Sequence, residues 1–191
     1  LGFLTISLSV FILYLFGYYQ VISITTTNYP VKLFTTLLVA ALIEDLLHRG
    51  LIVREMENWL GTNVAIVIGM VVELQHIFNP HSNLFSFFYY LIWGFSMAMM
   101  FIYTKRIWLP YFFHIGWNFA QPFYGSNLSG IEDIGYIIKA KFQGPQLLTG
   151  TIYGIEDSIL SIILLFVVSI VFLYLSIKNG KIINGKHNTK K

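Results

Sequence analysis

Residues 158–177 form a run of twenty positions with no charged side chain, bounded by Asp157 and Lys178. This run limits the folds open to the chain more than any other feature. A membrane-crossing helix needs about 20 mostly apolar residues. Comparable stretches cover residues 1–19, 31–53, 62–78, 84–103 and 108–123, with no charge before Lys32. Only 11% of the 191 residues are charged, against about 25% in an average soluble domain. The sequence therefore predicts an all-α fold, a polytopic transmembrane helix bundle of about six spans. One domain covers 1–177, and a basic tail covers 178–191.

Several classes are excluded by the same composition. There are no cysteines, so disulfide scaffolds, thiolate metal sites and cysteine nucleophiles are ruled out, and 56% apolar content rules out disorder. The net charge of +3 does not mark a nucleic-acid surface, because Lys178, Lys181, Lys186, Lys190 and Lys191 crowd the last fourteen positions. Pro30, Pro80 with Asn79 and Asn83, and Gly125 onward read as breaks, and residues 124–156 are the one long connection. Alternating helices place the tail with Lys105 and Arg106 on the cytoplasmic side, and the long connection with Glu132, Asp133, Glu156 and Asp157 outside. The expected location is the cell membrane, multi-pass. The chain opens on Leu1 rather than Met, and a preceding helix is expected.

Ionisable groups inside apolar spans are costly unless paired or functional, and three places carry them. In Glu44-Asp45-Leu46-Leu47-His48-Arg49-Gly50, helical spacing pairs Asp45 with Arg49 at i,i+4 and turns Glu44 away, free to act as a base. Glu73 and His76 share a face at i,i+3. His114 and Asn118 share one at i,i+4, suited to donating two hydrogen bonds to an oxyanion; alternatively His114 joins His76 around a metal. The bland alternatives are an interfacial helix end for the first place, a structurally hydrogen-bonded histidine for the second and interhelical hydrogen bonds for the third. Together the three favour an active site over packing.

These residues resemble the CPBP family of intramembrane proteases, the CAAX protease and bacteriocin-processing or Abi family. Its Glu-Glu-x-x-x-Arg motif is similar to Glu44 to Arg49, its Phe-x-x-x-His to Val72 to His76, and its His-x-x-x-Asn to His114 to Asn118. The likeness covers about residues 31–177 and extends to Gly154-Ile155-Glu156-Asp157-Ser158, in the manner of a bacterial branch. It implies hydrolysis of a peptide bond in a membrane-embedded or lipid-anchored substrate at the bilayer. By position, Glu44 and His76 would activate water, His114 and Asn118 would hold the oxyanion, and Arg49 would hold the acidic pair Glu44 and Asp45. The cofactor is left open; a divalent metal such as zinc would take His76 and His114 first. Asp45 in place of the second Glu and Val72 in place of Phe depart from the pattern, and Glu73 and Gln75 add polarity.

Two other readings of the same residues are an acyltransferase-like enzyme on lipoprotein or lipid-linked substrates and a non-enzymatic immunity or scaffold protein. A transporter is disfavoured by the lack of paired half-sequences.

Overall fold

The computed structural model describes residues 1–24, 31–132 and 135–185. Its elements in chain order are α1 (Gly2–Leu15), β1 (Tyr19–Ile24) and α2 (Val31–Asp45), which runs through a π-helical turn (Leu46–Val53) into α3 (Arg54–Leu60). Next come α4 (Thr62–Glu73) with a 3-10 turn (Leu74–Phe78), α5 (Leu84–Thr104) and α6 (Trp108–Phe123). Finally β2 (Ile138–Phe142), α7 (Gln146–Thr149), a second 3-10 turn (Ile155–Asp157) and α8 (Ile159–Lys178) follow.

The expectation of about six spans is overturned. Among the described residues only α5 and α8 are long and apolar enough to cross a membrane, and α5 is itself 67% buried within the protein. At 1.5 Å per residue, the 14 residues of α1 reach about 21 Å, short of the roughly 30 Å of a hydrocarbon core. Apolar sequence alone does not make a span: the first stretch ends its helix at Leu15 and enters a strand at Tyr19, and the second turns π-helical at Leu46–Val53. The multi-pass membrane location and the cytoplasmic side assigned to the tail fall with the span count. The fold is also not all-α, because β1 and β2 pair antiparallel, Tyr19 opposite Phe142 and Ile24 opposite Ile138. Of the basic tail, Lys178 and Lys181 are described; Lys186, Lys190 and Lys191 lie outside the described residues, as do Pro30 and Asp133.

Aromatic and sulfur side chains of α5 and α6 make the centre of the core: Trp93, Met97, Met99, Met100, Phe113 and Trp117 are buried, with Leu165 of α8 and Ile6 and Leu13 of α1 around them. Serines tie the helices where apolar packing leaves room. Ser161 donates to Ser9 at 3.1 Å between α8 and α1, and Ser96 donates to the Leu165 carbonyl at 3.2 Å between α5 and α8.

The helix crossing that matters for the site is α4 on α5. A Cβ on Gly94 would stand 2.7 Å from the Gly69 carbonyl oxygen and 3.0 Å from Glu73 Cγ, so only glycine lets the two backbones approach this closely. Asn83 starts α5 with a reciprocal capping box to Ser86, fixing where that helix begins. Overpacking a tight contact costs about 1–3 kcal/mol, and Gly94→Val is expected to lower the denaturant unfolding midpoint accordingly. An unchanged midpoint would show that the crossing is loose.

Candidate functional site

The π-helical turn after Asp45 is the local feature from which the site is built. A π turn bonds i to i+5 and takes in an extra residue, and such turns recur at functional sites. Here it carries His48 and Arg49 inward, both buried, while Leu46, Leu47 and Leu51 face out.

Arg49 is the hub. Its Nη1 lies 3.2 Å from Asp45 Oδ1 and 3.5 Å from Glu44 Oε1, and its Nη2 lies 2.7 Å from Glu73 Oε1. The Nη2 and Asp45 Oδ1 contacts are ionic rather than directional, because neither atom has a hydrogen bond of proper angle. The expected Asp45–Arg49 pair is thus present, with Glu73 joining it from α4. His48 Nδ1 is 2.8 Å from Glu73 Oε1, and its Nε2 is 3.0 Å from Gln75 Nε2. With the proton on Nδ1, His48 donates to Glu73 and accepts from Gln75.

Two members of the group are reachable. The Glu44 side chain is 23% exposed and that of His76 is 36% exposed, whereas Asp45, Arg49 and Glu73 are 2% or less. Glu44 Oε1 and His76 Nε2 stand 3.8 Å apart, too far for a direct hydrogen bond and near enough for one water oxygen to bond both. His76 is held from the other side by Tyr90, whose ring stacks on it at 5.0 Å and 18°.

His114 reaches the group from α6 with Nδ1 3.2 Å from Asp45 Oδ2, and the edge of Trp93 packs against its ring at 5.1 Å. Asn118, one turn further on, is half-buried and makes no hydrogen bond among the described residues. The structure therefore brings together Glu44, Asp45, Arg49, His76 and His114 of the expected set, and leaves Asn118 outside it.

Charge accounting explains the protonation of the group. Three carboxylates, Glu44, Asp45 and Glu73, face one guanidinium, which leaves two negative charges to balance. Burial works to lower the His76 pKa, but its contact with Glu44 and the charges of Glu44, Glu73 and Glu156 outweigh burial and raise it. His114 is raised in the same way, against burial, by Asp45 and Glu44. Burial works to raise the Glu44 carboxyl, yet the contact with His76 and the charges of His114 and Arg49 hold it well below the usual carboxylate range.

The ligand atoms of Glu44, His48 and Glu73 all lie within 4.8 Å of one another, a set that could hold a divalent cation. His76 and His114 are not the pair the structure gathers for this. Glu73 Oε2 is buried with no hydrogen bond, and carboxylate oxygens with an imidazole suit a divalent ion. Both ring nitrogens of His48 are engaged, so ligation would displace either Glu73 or Gln75 from it.

Sequence reasoning missed a second buried carboxylate. Glu156, placed in the outer connection, is 1% exposed and accepts from Trp117 Nε1 at 3.2 Å, Gln121 Nε2 at 2.8 Å, Tyr89 Oη at 3.1 Å, and the Ser129 amide and hydroxyl at 2.8 Å each. It ties α5, α6 and the loop before β2 beneath the ionic group. The five-residue likeness around it was the only signal in the sequence.

Residues 26–120 match the family described as type II CAAX prenyl endopeptidase Rce1-like, a stretch containing all three motifs from Glu44 to Asn118. The chain belongs to the CAAX protease and bacteriocin-processing family. No curated protein and no solved structure matches it significantly. For a member of this family the cluster supplies the elements of a catalytic or metal site: an accessible carboxylate, an accessible imidazole and a buried ionic frame.

Two predictions follow from the frame. Removing one partner of a buried ion group costs about 3–5 kcal/mol, and Arg49→Met should destabilise by this order in chemical unfolding. The second concerns pH. Glu44, depressed in the fold, contributes stability above its ordinary 4.5 that is lost as pH falls; His76, raised, contributes stability below its ordinary 6.5 that is lost as pH rises. Both are present between those values, so the melting temperature of the wild type should exceed that of His76→Gln most in this window. A pH-independent difference would mean that the pair does not interact.

Proposed function

We propose that the chain is a peptidase in which Glu44 takes a proton from water while that water attacks a peptide carbonyl, and His76, protonated, gives a proton to the leaving amine. The observation that carries this is the 3.8 Å gap between the two accessible groups, each of which favours the charged form of the other: His76 lowers the Glu44 pKa and Glu44 raises that of His76. His114, buried beside Asp45, which raises its pKa, stabilises the developing oxyanion. Arg49, Asp45 and Glu73 do not react; they fix Glu44 and His48 and keep the site from collapsing. A divalent ion such as zinc, if held by Glu44, His48 and Glu73, would polarise water and carbonyl and so replace Glu44 in activating the water. The substrate is a membrane-embedded or lipid-anchored peptide, a class that the apolar outer face of α8, with Phe166, Val167, Ile170 and Tyr174 exposed, is suited to meet.

Glu44→Gln should reduce cleavage of a lipidated peptide by about 100-fold or more, measured at a temperature where both proteins are fully folded. His76→Gln should lose the alkaline limb of the pH–rate profile. Acyl transfer in place of hydrolysis would appear in the same mass spectra as a product heavier than the substrate fragment. Chelation with a picolinate should lower activity if the cation is resident, and titration of cobalt should give a ligand-field spectrum that Glu73→Gln abolishes. Full activity after exhaustive chelation, with no such spectrum, would remove the metal from the mechanism and leave the Glu44–His76 pair to act alone.

A further inference from the structure

The outer side of the π-helical turn faces a cavity of about 360 Å³ that the site chemistry does not use. Its floor is apolar, formed by Leu46, Leu51 and Phe101, and its rim carries Arg54, Arg106 and the half-exposed indole of Trp108. Lys105 also lines it, but its ammonium is committed to the buried Glu57 carboxylate at 2.6 Å. Neither the Arg54 nor the Arg106 guanidinium has a carboxylate partner among the described residues, and no acidic side chain lines the cavity. Lys105 closes α5 in the left-handed conformation, φ 56°, which turns the chain sharply so that Arg106 and Trp108 arrive on the same rim. Ile107, which also lines the cavity, gives the start of α6 no side-chain cap.

We propose that this cavity binds a phosphate carried on an apolar stem, supplied by a lipid headgroup. Two unpaired guanidiniums recognise the phosphate by paired hydrogen bonds, and the leucine floor with the indole edge takes the first part of the chain. An anion with no stem would leave the floor uncovered, and a stem with no net charge would leave two arginines unanswered. The site is separate from the ionic group, although Leu46, Gly50 and Leu51 belong to the turn that carries His48 and Arg49 on its other side. The inference does not rest on the peptidase reading.

The test is calorimetric titration of the full chain with dihexanoyl phosphatidic acid below its micelle concentration. Inorganic phosphate and dihexanoyl phosphatidylcholine serve as the other two probes. Saturable binding of the phosphatidic acid is expected, at least about tenfold tighter than either comparison probe, and weakened about tenfold or more in Arg54→Gln/Arg106→Gln. Both arginines are exposed, so that variant should unfold at the wild-type midpoint, and Lys178→Gln should bind as wild type does. Equal binding of inorganic phosphate would overturn the role of the apolar floor. Equal binding of phosphatidylcholine, unchanged binding in the double variant, or no binding at all would overturn the site.

Discussion

A guanidinium buried beside three carboxylates is the interaction on which the rest of this structure depends. Arg49, 1% exposed, holds Asp45 from its own helix and Glu73 from α4, and touches Glu44. An isolated buried charge would be expelled or neutralised, so each member is there only because the others are. One cation against three anions also leaves the group short of positive charge, and this shortage raises the pKa of His76 and of His114. Structure and reactivity of the site thus have one electrostatic cause.

The backbone meets the demand in two ways. The π-helical turn at Leu46–Val53 swings Arg49 and His48 inward at the end of α2. The close approach of Gly69 and Gly94 lets α4 lie against α5, bringing Glu73 within reach of Arg49 and His76 within stacking distance of Tyr90. Glu156, with donors from Trp117, Gln121, Tyr89 and Ser129, locks α6 to α5 under the site, which keeps His114 beside Asp45.

What was legible in the sequence was local. Asp45 and Arg49 are one helical turn apart, and their ion pair was readable from spacing alone; so was the helix over 158–177, which appears as Ile159–Lys178. The order of the three motifs was enough to place the family. Glu73 as a partner of Arg49 was not legible, because the contact joins positions 24 apart through a crossing set by two glycines. The π turn carries no compositional mark, so spacing alone gives His48 no role, and the histidines that the motifs offer to a metal are His76 and His114. Hydropathy without geometry also overcounted spans: apolar residues in α1, α4 and α6 look the same whether they face a protein core or lipid. Glu156 and Asp157 read as loop charges because nothing in a single sequence announces donors arriving from three other segments.

A double-mutant cycle between Arg49 and Glu73 tests the account most directly. Unfolding free energies are measured for the wild type, Arg49→Met, Glu73→Gln and the double variant. Close charge pairs that are buried couple by roughly 1.5 kcal/mol or more. The account predicts a coupling of this size, with the double variant less destabilised than the sum of the singles. Additive single effects would contradict it, because Arg49 would then not be the centre that holds the carboxylates together.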